Sequence, residues 1–295
     1  MLDVRKLRLL RELAHRGTIA AVAEALSYTP SAVSQQLTAL ERETGVALLE
    51  RTGRRVALTP AALLLVRHAE TIFAALARAE ADLAAGHEDI AGQLRIGAFP
   101  TAVPTIVSPA LVALSREHPK LELMVAEVDP ATVPQALRTE ALEVALVQEY
   151  DYVPAEPDPA IDSGPLLEET IYLAADSAEP LSARRSASWI AGTPGTLCHT
   201  MTIRACEAAG FTPRIRHHAD DFGTVLALVA AGQGVALVPE LGVAGAPPPG
   251  VVLTPLAARR RTSVAFRRGT GSAPAVVAVR AALRESARVR EVNRW

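Results

Sequence analysis

Between Thr29 and Arg42 the chain sets Ser31, Ser34, Gln35 and Thr38 on one side of a helical repeat, with Val33, Leu37 and Leu40 on the other. The apolar set recurs at steps of four and three, the spacing of a buried helical stripe. The polar set is made of short hydroxyls and one amide, each able to donate and to accept, with no acid among them. Such groups can meet base edges and phosphate oxygens in a DNA major groove; a solvated surface face is the alternative. Thr29 can cap this helix, and Pro30 suits its first turn, where the missing N–H would have no partner. Thr29, Pro30, Ser31, Ser34, Gln35 and Thr38 are therefore the candidate nucleic-acid contacts here. A basic cluster follows. Two short apolar runs flank a turn containing Thr52-Gly53, the pattern of a small β-hairpin, and Arg51, Arg54 and Arg55 gather there. Arginine's rigid fork fits phosphate oxygens, although a charged hairpin tip needs no ligand to explain it.

A second group of chemically capable side chains lies in the C-terminal two thirds. Phe99-Pro100-Thr101-Ala102 joins a strand to a helix, so its N–H groups and the Thr101 hydroxyl can receive an anion or simply cap the helix. Tyr150 follows another strand and can stack on a ligand or cover a hinge. Thr196-Leu197-Cys198-His199 and Asp220-Asp221-Phe222 each precede a helix; Asp221 can take a ligand amine or act as a cap. Thr101, Ala102, Tyr150, Cys198, His199 and Asp221 are the candidate small-molecule contacts. Cys198, His199, Cys206, His217 and His218 fit no standard metal spacing, so neither metal nor cofactor is expected. Gly232-Gln233-Gly234 follows a helix and precedes a strand, the reverse of a nucleotide loop, and reads as a helix stop. Cys198-His199 is the one adjacent nucleophile–base pair, and sequence neighbours seldom face each other, so an enzyme is not expected.

These residues need elements to hold them. Asp3 can cap a first helix with Val4, Leu7, Leu10 and Ala14 as its apolar positions, stopped by Gly17. Thr18 can cap a second helix over 19–26, rich in alanines that permit a close crossing, and Ser27-Tyr28-Thr29 then launches the third. Two short helices joined by a tight turn, the second polar on its outer face, have helix-turn-helix geometry. Thr59-Pro60 restarts the chain in a helix to about residue 86, with Ala62, Leu65, Ala69, Ile72, Leu76, Ala79 and Leu83 as a heptad seam. A second copy is the economical cover for that seam, giving a homodimer; packing on the chain's own C-terminal domain is the alternative. Gly86 to Asp89 and Gly92 read as a hinge.

From Gln93 strands alternate with helices, first over 94–147, then, beyond the proline-rich 154–159, over 170–266, ending in a helix over about 273–289. The alternation implies largely parallel sheets in two α/β lobes, with ligands in the cleft between them. The 295 residues carry a net charge of −2, so the whole molecule is no polyanion binder, but residues 1–59 hold nine basic side chains against six acidic ones. Met1-Leu2-Asp3-Val4-Arg5-Lys6 has no apolar signal core, and the apolar stretch 225–239 is short and broken by glycines, so a cytoplasmic protein with no membrane span is expected. Two cysteines exclude a disulfide scaffold.

Ala21, Leu26, the run Thr29 to Leu37, Leu40-Glu41, Gly45-Val46, Leu48 to Arg51, and Arg54, Val56, Leu58 and Thr59 together resemble the N-terminal signature of LysR-type transcriptional regulators. The chain departs from it at Thr18-Ile19, where that family has Ser-Phe, and at Ala61-Ala62-Leu63, where it has a glycine; both bear on packing. The resemblance implies a winged helix-turn-helix over 1–59, a dimerisation helix over 60–88 and a periplasmic-binding-protein-like effector domain over 93–295. It also implies that the chain crosses between lobes twice, lobe I being about 93–162 and 268–295 and lobe II about 163–267. The implied partners are double-stranded promoter DNA, a small-molecule effector held near Thr101, a homodimer or homotetramer, and RNA polymerase at the promoter. Effector binding would close the cleft, shift the dimers and alter the DNA bend. Cys198 and Cys206 resemble the cysteine pair of peroxide-sensing members, with Cys198 one residue out of register, so a redox-responsive member is one alternative. The other is a metabolite-binding protein or enzyme with a helical accessory domain.

Overall fold

A computed structural model of the chain describes residues 2–52, 55–84, 90–154, 157–243 and 245–292. Gly53, Arg54 and the hinge assigned to Gly86–Asp89 lie outside the described residues. The N-terminal unit is built by local signals. Asp3 accepts from the Arg5 amide to cap α1 (Val4–Arg16), which Gly17 ends in the left-handed conformation. Thr18 caps α2 (Ile19–Ala25) and Thr29 caps α3 (Pro30–Thr44). Leu7, Leu10, Val22, Val33, Leu37 and Leu40 close the core of the three helices. Val4, expected in the α1 stripe, is 41% exposed, and Leu9 and Leu13 are buried instead, because the α1 stripe also faces the long helix behind it. The hairpin forms as β1 (Leu49–Thr52) and β2 (Arg55–Leu58), antiparallel. Glu41 Oε1 accepts from the amides of Leu48 and Leu49 at 2.9 and 3.0 Å, tying the hairpin to α3.

Thr59 caps the chain's entry into α4 (Pro60–Ala84). This helix is long and apolar enough to cross a membrane by length and composition alone, which the sequence reading overlooked. It packs as part of the N-terminal core, with Ala62 and Ala69 buried. The heptad seam is therefore divided. Ala62 and Ala69 are covered within the chain and Leu65 is half-buried, whereas Ile72, Leu76, Ala79 and Leu83 are exposed. A different face, Ala74, Ala77 and Ala81, is buried, and a Cβ at Gly269 would stand 2.1 Å from the Ala74 carbonyl oxygen. So α4 packs on its own C-terminal domain along one face and leaves another open.

The C-terminal domain holds a six-stranded sheet in the order β4-β3-β5-β10-β6-β9. Lobe I starts with β3 (Gly92–Ala98), a wide turn at Val103–Val107, α5 (Ser108–Glu117), β4 (Leu121–Glu127), α6 (Val133–Arg138) and β5 (Val144–Tyr150). Then β6 (Ile161–Ala175) runs into lobe II, followed by β7 (Ser188–Ala191), α7 (Leu197–Ala208), β8 (Arg214–His218), α8 (Phe222–Ala230) and β9 (Ala236–Pro239). The return strand β10 (Val252–Arg267) pairs with β6 along most of its length and leads to α9 (Pro274–Val292), which packs into the lobe I core. The chain thus crosses twice, and the lobe boundary falls within these two strands.

One expectation needs correction. Among the described residues of this domain, β4-β3-β5, the β7-β8 pair and a single Trp189–Val235 bridge are parallel, whereas β5-β10-β6-β9 is antiparallel. Helical crossovers make parallel neighbours, but β6 and β10 pass one another in opposite senses as they cross, and that makes the sheet mixed.

At the crossing, Arg260 stands between Glu169 on β6 and Tyr150 on β5 in the strand register. Arg260 and Glu169 are each 1% exposed, and Arg260 Nη2 lies 3.0 Å from Glu169 Oε2. Burial is the largest single influence and disfavours the guanidinium charge, but Glu169, Tyr150 and Cys198 together outweigh it and hold the Arg260 pKa above its ordinary value.

The two domains also touch. Gln135 Nε2 on α6 donates to the His15 carbonyl at the end of α1, at 2.6 Å. Glu140, at φ 59°, lies 3.0 Å from Arg267 Nη1 and 3.8 Å from the buried Arg11. Arg11 also pairs with Glu12 at 2.9 Å and covers the Phe73 ring, so this arginine adds nothing to the outward basic surface. The Arg260 pair gives a test. Glu169→Ala should destabilise the effector domain by about 3–5 kcal/mol, by stranding a buried cation. The measurement is urea unfolding followed by the fluorescence of the buried Trp189 in lobe II.

Candidate functional site

Two regions collect the chemistry. On α3, Val33, Leu37 and Leu40 point into the core, which leaves Ser31, Gln35 and Thr38 exposed and Ser34 half-buried. Thr29 and Pro30 are exposed at its start. Thr29 is first of all a cap, accepting from the Ala32 amide at 3.2 Å, and its hydroxyl lies 3.0 Å from Ser31 Oγ. Gln35 and Thr38 have no such internal commitment among the described residues. Arg51 and Arg55 fall on the two hairpin strands, beside the end of α3 that Glu41 fastens; Arg54 lies outside the described residues. Lys6 pairs with Glu43, which neutralises one basic group of this domain. Tyr28, in the turn ahead of α3, is 49% exposed and was not singled out from the sequence.

The second region is a cavity of about 340 Å³ between the lobes. Lobe I contributes Phe99, Thr101, Glu127, Asp129 and Gln148; lobe II contributes Leu197, Cys198, Asp220 and Phe222; Arg260 of the crossing strand completes it. Arg260 Nη1 donates to Gln148 Oε1 at 3.1 Å and Nη2 to Thr101 Oγ1 at 3.3 Å, while the guanidinium carbon sits 4.9 Å from the Phe99 ring centre.

Of the candidate small-molecule contacts, Thr101 and Cys198 line this cavity. Ala102 is fully buried and its amide donates to the Phe99 carbonyl at 3.0 Å, so it offers no anion cradle. Tyr150 is buried beneath the lining, with its hydroxyl 3.2 Å from Cys198 Sγ. Burial pushes the Tyr150 phenol well up, reinforced by Cys198. Cys198 and His199 sit inside the first turn of α7, because Thr196 rather than a later residue is its cap. His199 Nδ1 is 2.9 Å from the Gly192 carbonyl, and His218 Nδ1 reaches the same oxygen at 3.0 Å. Asp221 caps α8 by accepting from the Thr224 amide at 2.7 Å, and its neighbour Asp220 lines the cavity instead.

Arg260, Gln148, Glu127 and Asp129 went unrecognised in the sequence. A signal existed for the first. Arg259-Arg260-Arg261 looks like a solvated run, but a strand period of two places the middle arginine inward, with buried Ala258 and Thr262 on either side. Glu168-Glu169 supplies the complement across the ladder.

Two family models match the chain. Residues 4–63 match the bacterial regulatory helix-turn-helix protein, lysR family, and residues 87–288 match the LysR substrate binding domain. The Bacillus subtilis transcriptional dual regulator GltC is 28% identical over 265 residues, covering 86% of each protein. A probable hydrogen peroxide-inducible genes activator of Mycobacterium avium is 30% identical over 80% of this chain and 78% of its own. In fold, a full-length OxyR variant of Pseudomonas aeruginosa superposes with a TM-score of 0.62 at 22% identity, over 98% of both chains. The chain therefore belongs to the LysR family, DNA-binding transcriptional regulators that carry an effector-binding domain.

Proposed function

We propose that this regulator reads duplex promoter DNA with the outer face of α3 and answers to a small metabolite held in the inter-lobe cavity. The observation that carries the first half is the exposed Ser31, Gln35 and Thr38 face beside the arginine-bearing hairpin. Gln35 can read a base edge in the major groove, and Arg51, Arg54 and Arg55 hold the phosphate backbone. The second half rests on a cavity assembled from both lobes. We propose further that two copies pair through the open stripe of α4, where Leu64, Ile72, Leu76 and Leu83 are exposed. Pairing presents two α3 helices to a two-fold site. The protein would act in the cytoplasm, with no catalytic step of its own.

The M. avium relative's name raises a second reading, a peroxide-sensing thiol at Cys198, which does lie in the cavity. The local chemistry opposes it. Burial pushes the Cys198 thiol up, against a lowering by the Tyr150 hydrogen bond. Burial pushes Cys206 up to about 12. Both belong to α7, and eight residues of helix separate their backbones by about 12 Å, beyond a disulfide's span of roughly 7 Å. Because burial raises its pKa and shields it, Cys198 should react slowly with iodoacetamide at pH 7.5 and faster only as pH rises past the range of an ordinary cysteine. Rapid labelling at pH 7.5 would restore the redox reading.

Gel-shift titrations on the chain's own upstream DNA test the DNA contacts. Gln35→Ala should lose about 1–3 kcal/mol of discrimination between specific and scrambled sites. Arg54→Ala should weaken both alike and lower the salt slope by about 1. A changed sequence preference in Arg54→Ala would contradict the backbone role given to the hairpin. Leu76→Glu should give a monomer in sedimentation with its helix content intact; a variant as oligomeric as the parent would remove α4 from the interface.

A further inference from the structure

The cavity's polar groups are sorted by depth. Gln148 and Arg260 are buried at the bottom, whereas Glu127, Asp129 and Asp220 are exposed at the mouth. The deep groups offer hydrogen-bond donors. Gln148 is 8% exposed, and its Oε1 is taken by Arg260, which fixes its Nε2 as the free end; that amide has no partner among the described residues. The Thr101 hydroxyl oxygen accepts from Arg260 Nη2, which leaves its own proton to donate. Arg260 Nε is buried and unpaired among the described residues as well. At the start of α7, the Leu197 and Cys198 amides precede the point where intrahelical bonding begins, and both residues line the same cavity. Gln148 Nε2 and the Thr101 hydroxyl proton are thus donors waiting for an acceptor in the cavity.

The mouth offers the reverse. Glu127 has no partner among the described residues, Asp129 uses one oxygen on the Ala131 amide, and Asp220 bonds only to Thr193 among them. Arg260 is the one cation of the lining among the described residues, and Glu169 meets its charge from below. The mouth is therefore anionic, with Glu127 and Asp129 from lobe I facing Asp220 from lobe II. Between floor and mouth stand the apolar walls Phe99, Val128, Leu197 and Phe222.

We propose that the effector is a zwitterion of the α-amino-acid type with an apolar side chain, its carboxylate on the Gln148–Thr101–Arg260 floor and its ammonium among Asp220, Asp129 and Glu127. This rests on the reading of the cavity as the effector site and goes further by fixing the ligand's polarity. A neutral apolar molecule leaves the donors bare. A dicarboxylate meets the floor but is repelled at the mouth, and a plain amine satisfies only the mouth. The ammonium also places a positive charge between acids of opposite lobes, which favours the closed cleft. The volume of about 340 Å³ lies at the small end of ligand pockets, in keeping with a molecule of this size.

The test is calorimetric titration of the full-length protein with each of the twenty protein amino acids. Every binder is then compared with its des-amino acid and its decarboxylated amine. The expected result is that at least one amino acid with an apolar side chain binds, and that removing either charged group weakens Kd about ten- to a hundredfold. Gln148→Glu keeps the acceptor for Arg260 and replaces the free donor with a carboxylate oxygen, so it should abolish binding. Asp220→Asn should weaken the amino acid and leave the des-amino acid unchanged. Trp189 fluorescence of each variant checks that lobe II is intact. A des-amino acid that binds as tightly as its parent overturns the proposal, as does silence from all twenty amino acids. In the latter case a non-zwitterionic metabolite whose binding is lost in Phe222→Trp preserves the cavity as the effector site. If no metabolite binds there while the protein still shifts its DNA, the effector reading falls too.

Discussion

The effector domain depends on a buried charge being met where the chain changes lobe. Arg260 and Glu169 face each other across β10 and β6, both almost wholly withdrawn from solvent. Leaving either without the other puts an uncompensated ion in the protein interior. The pair therefore holds the register of the two crossing strands, and that register decides which residues reach the cavity. Thr101 from the turn after β3 and Gln148 from β5 both hydrogen-bond to the same guanidinium, so the floor of the cavity is organised around one side chain. Most of that side chain's hydrogen-bonding capacity is used inside the protein, and its Nε is buried without a partner among the described residues.

The N-terminal domain is stabilised differently, by signals that act over a few residues. Asp3, Thr18 and Thr29 each cap a helix, and glycines at 17 and 45 end two of them in the left-handed conformation. Glu41 then ties α3 to the hairpin through two backbone amides, so one carboxylate holds these two elements together. An acid close to a proposed DNA-binding surface looks unfavourable by charge alone. Here its oxygen is spent on N–H groups that would otherwise lack partners, and it faces the scaffold.

That contrast explains what could be read from the sequence. Caps, helix stops and the three-and-four spacing of Val33, Leu37 and Leu40 are local, and they placed the helix-turn-helix and its polar face correctly. The open α/β pattern and the return of the last helix to lobe I also came through. Nonlocal facts did not. The antiparallel half of the sheet depends on β6 and β10 meeting across ninety-one residues, from Glu169 to Arg260. The face of α4 that is covered depends on Gly269, far along the chain, coming against Ala74. In the cavity, Asp221 and Asp220 are indistinguishable by composition; only the start of α8 decides that Asp221 is consumed as a cap while Asp220 faces the cleft.

The stretch from Val128 to Glu140 has two jobs at its two ends. Val128, Asp129 and Pro130 form part of the cavity wall, and one tight turn later α6 begins at Val133. Gln135 on that short helix grips the last turn of α1, and Glu140 reaches Arg267 and Arg11. No long loop separates wall from grip, so one short segment has its front end in the inter-lobe cavity and its rear end against the helix-turn-helix unit.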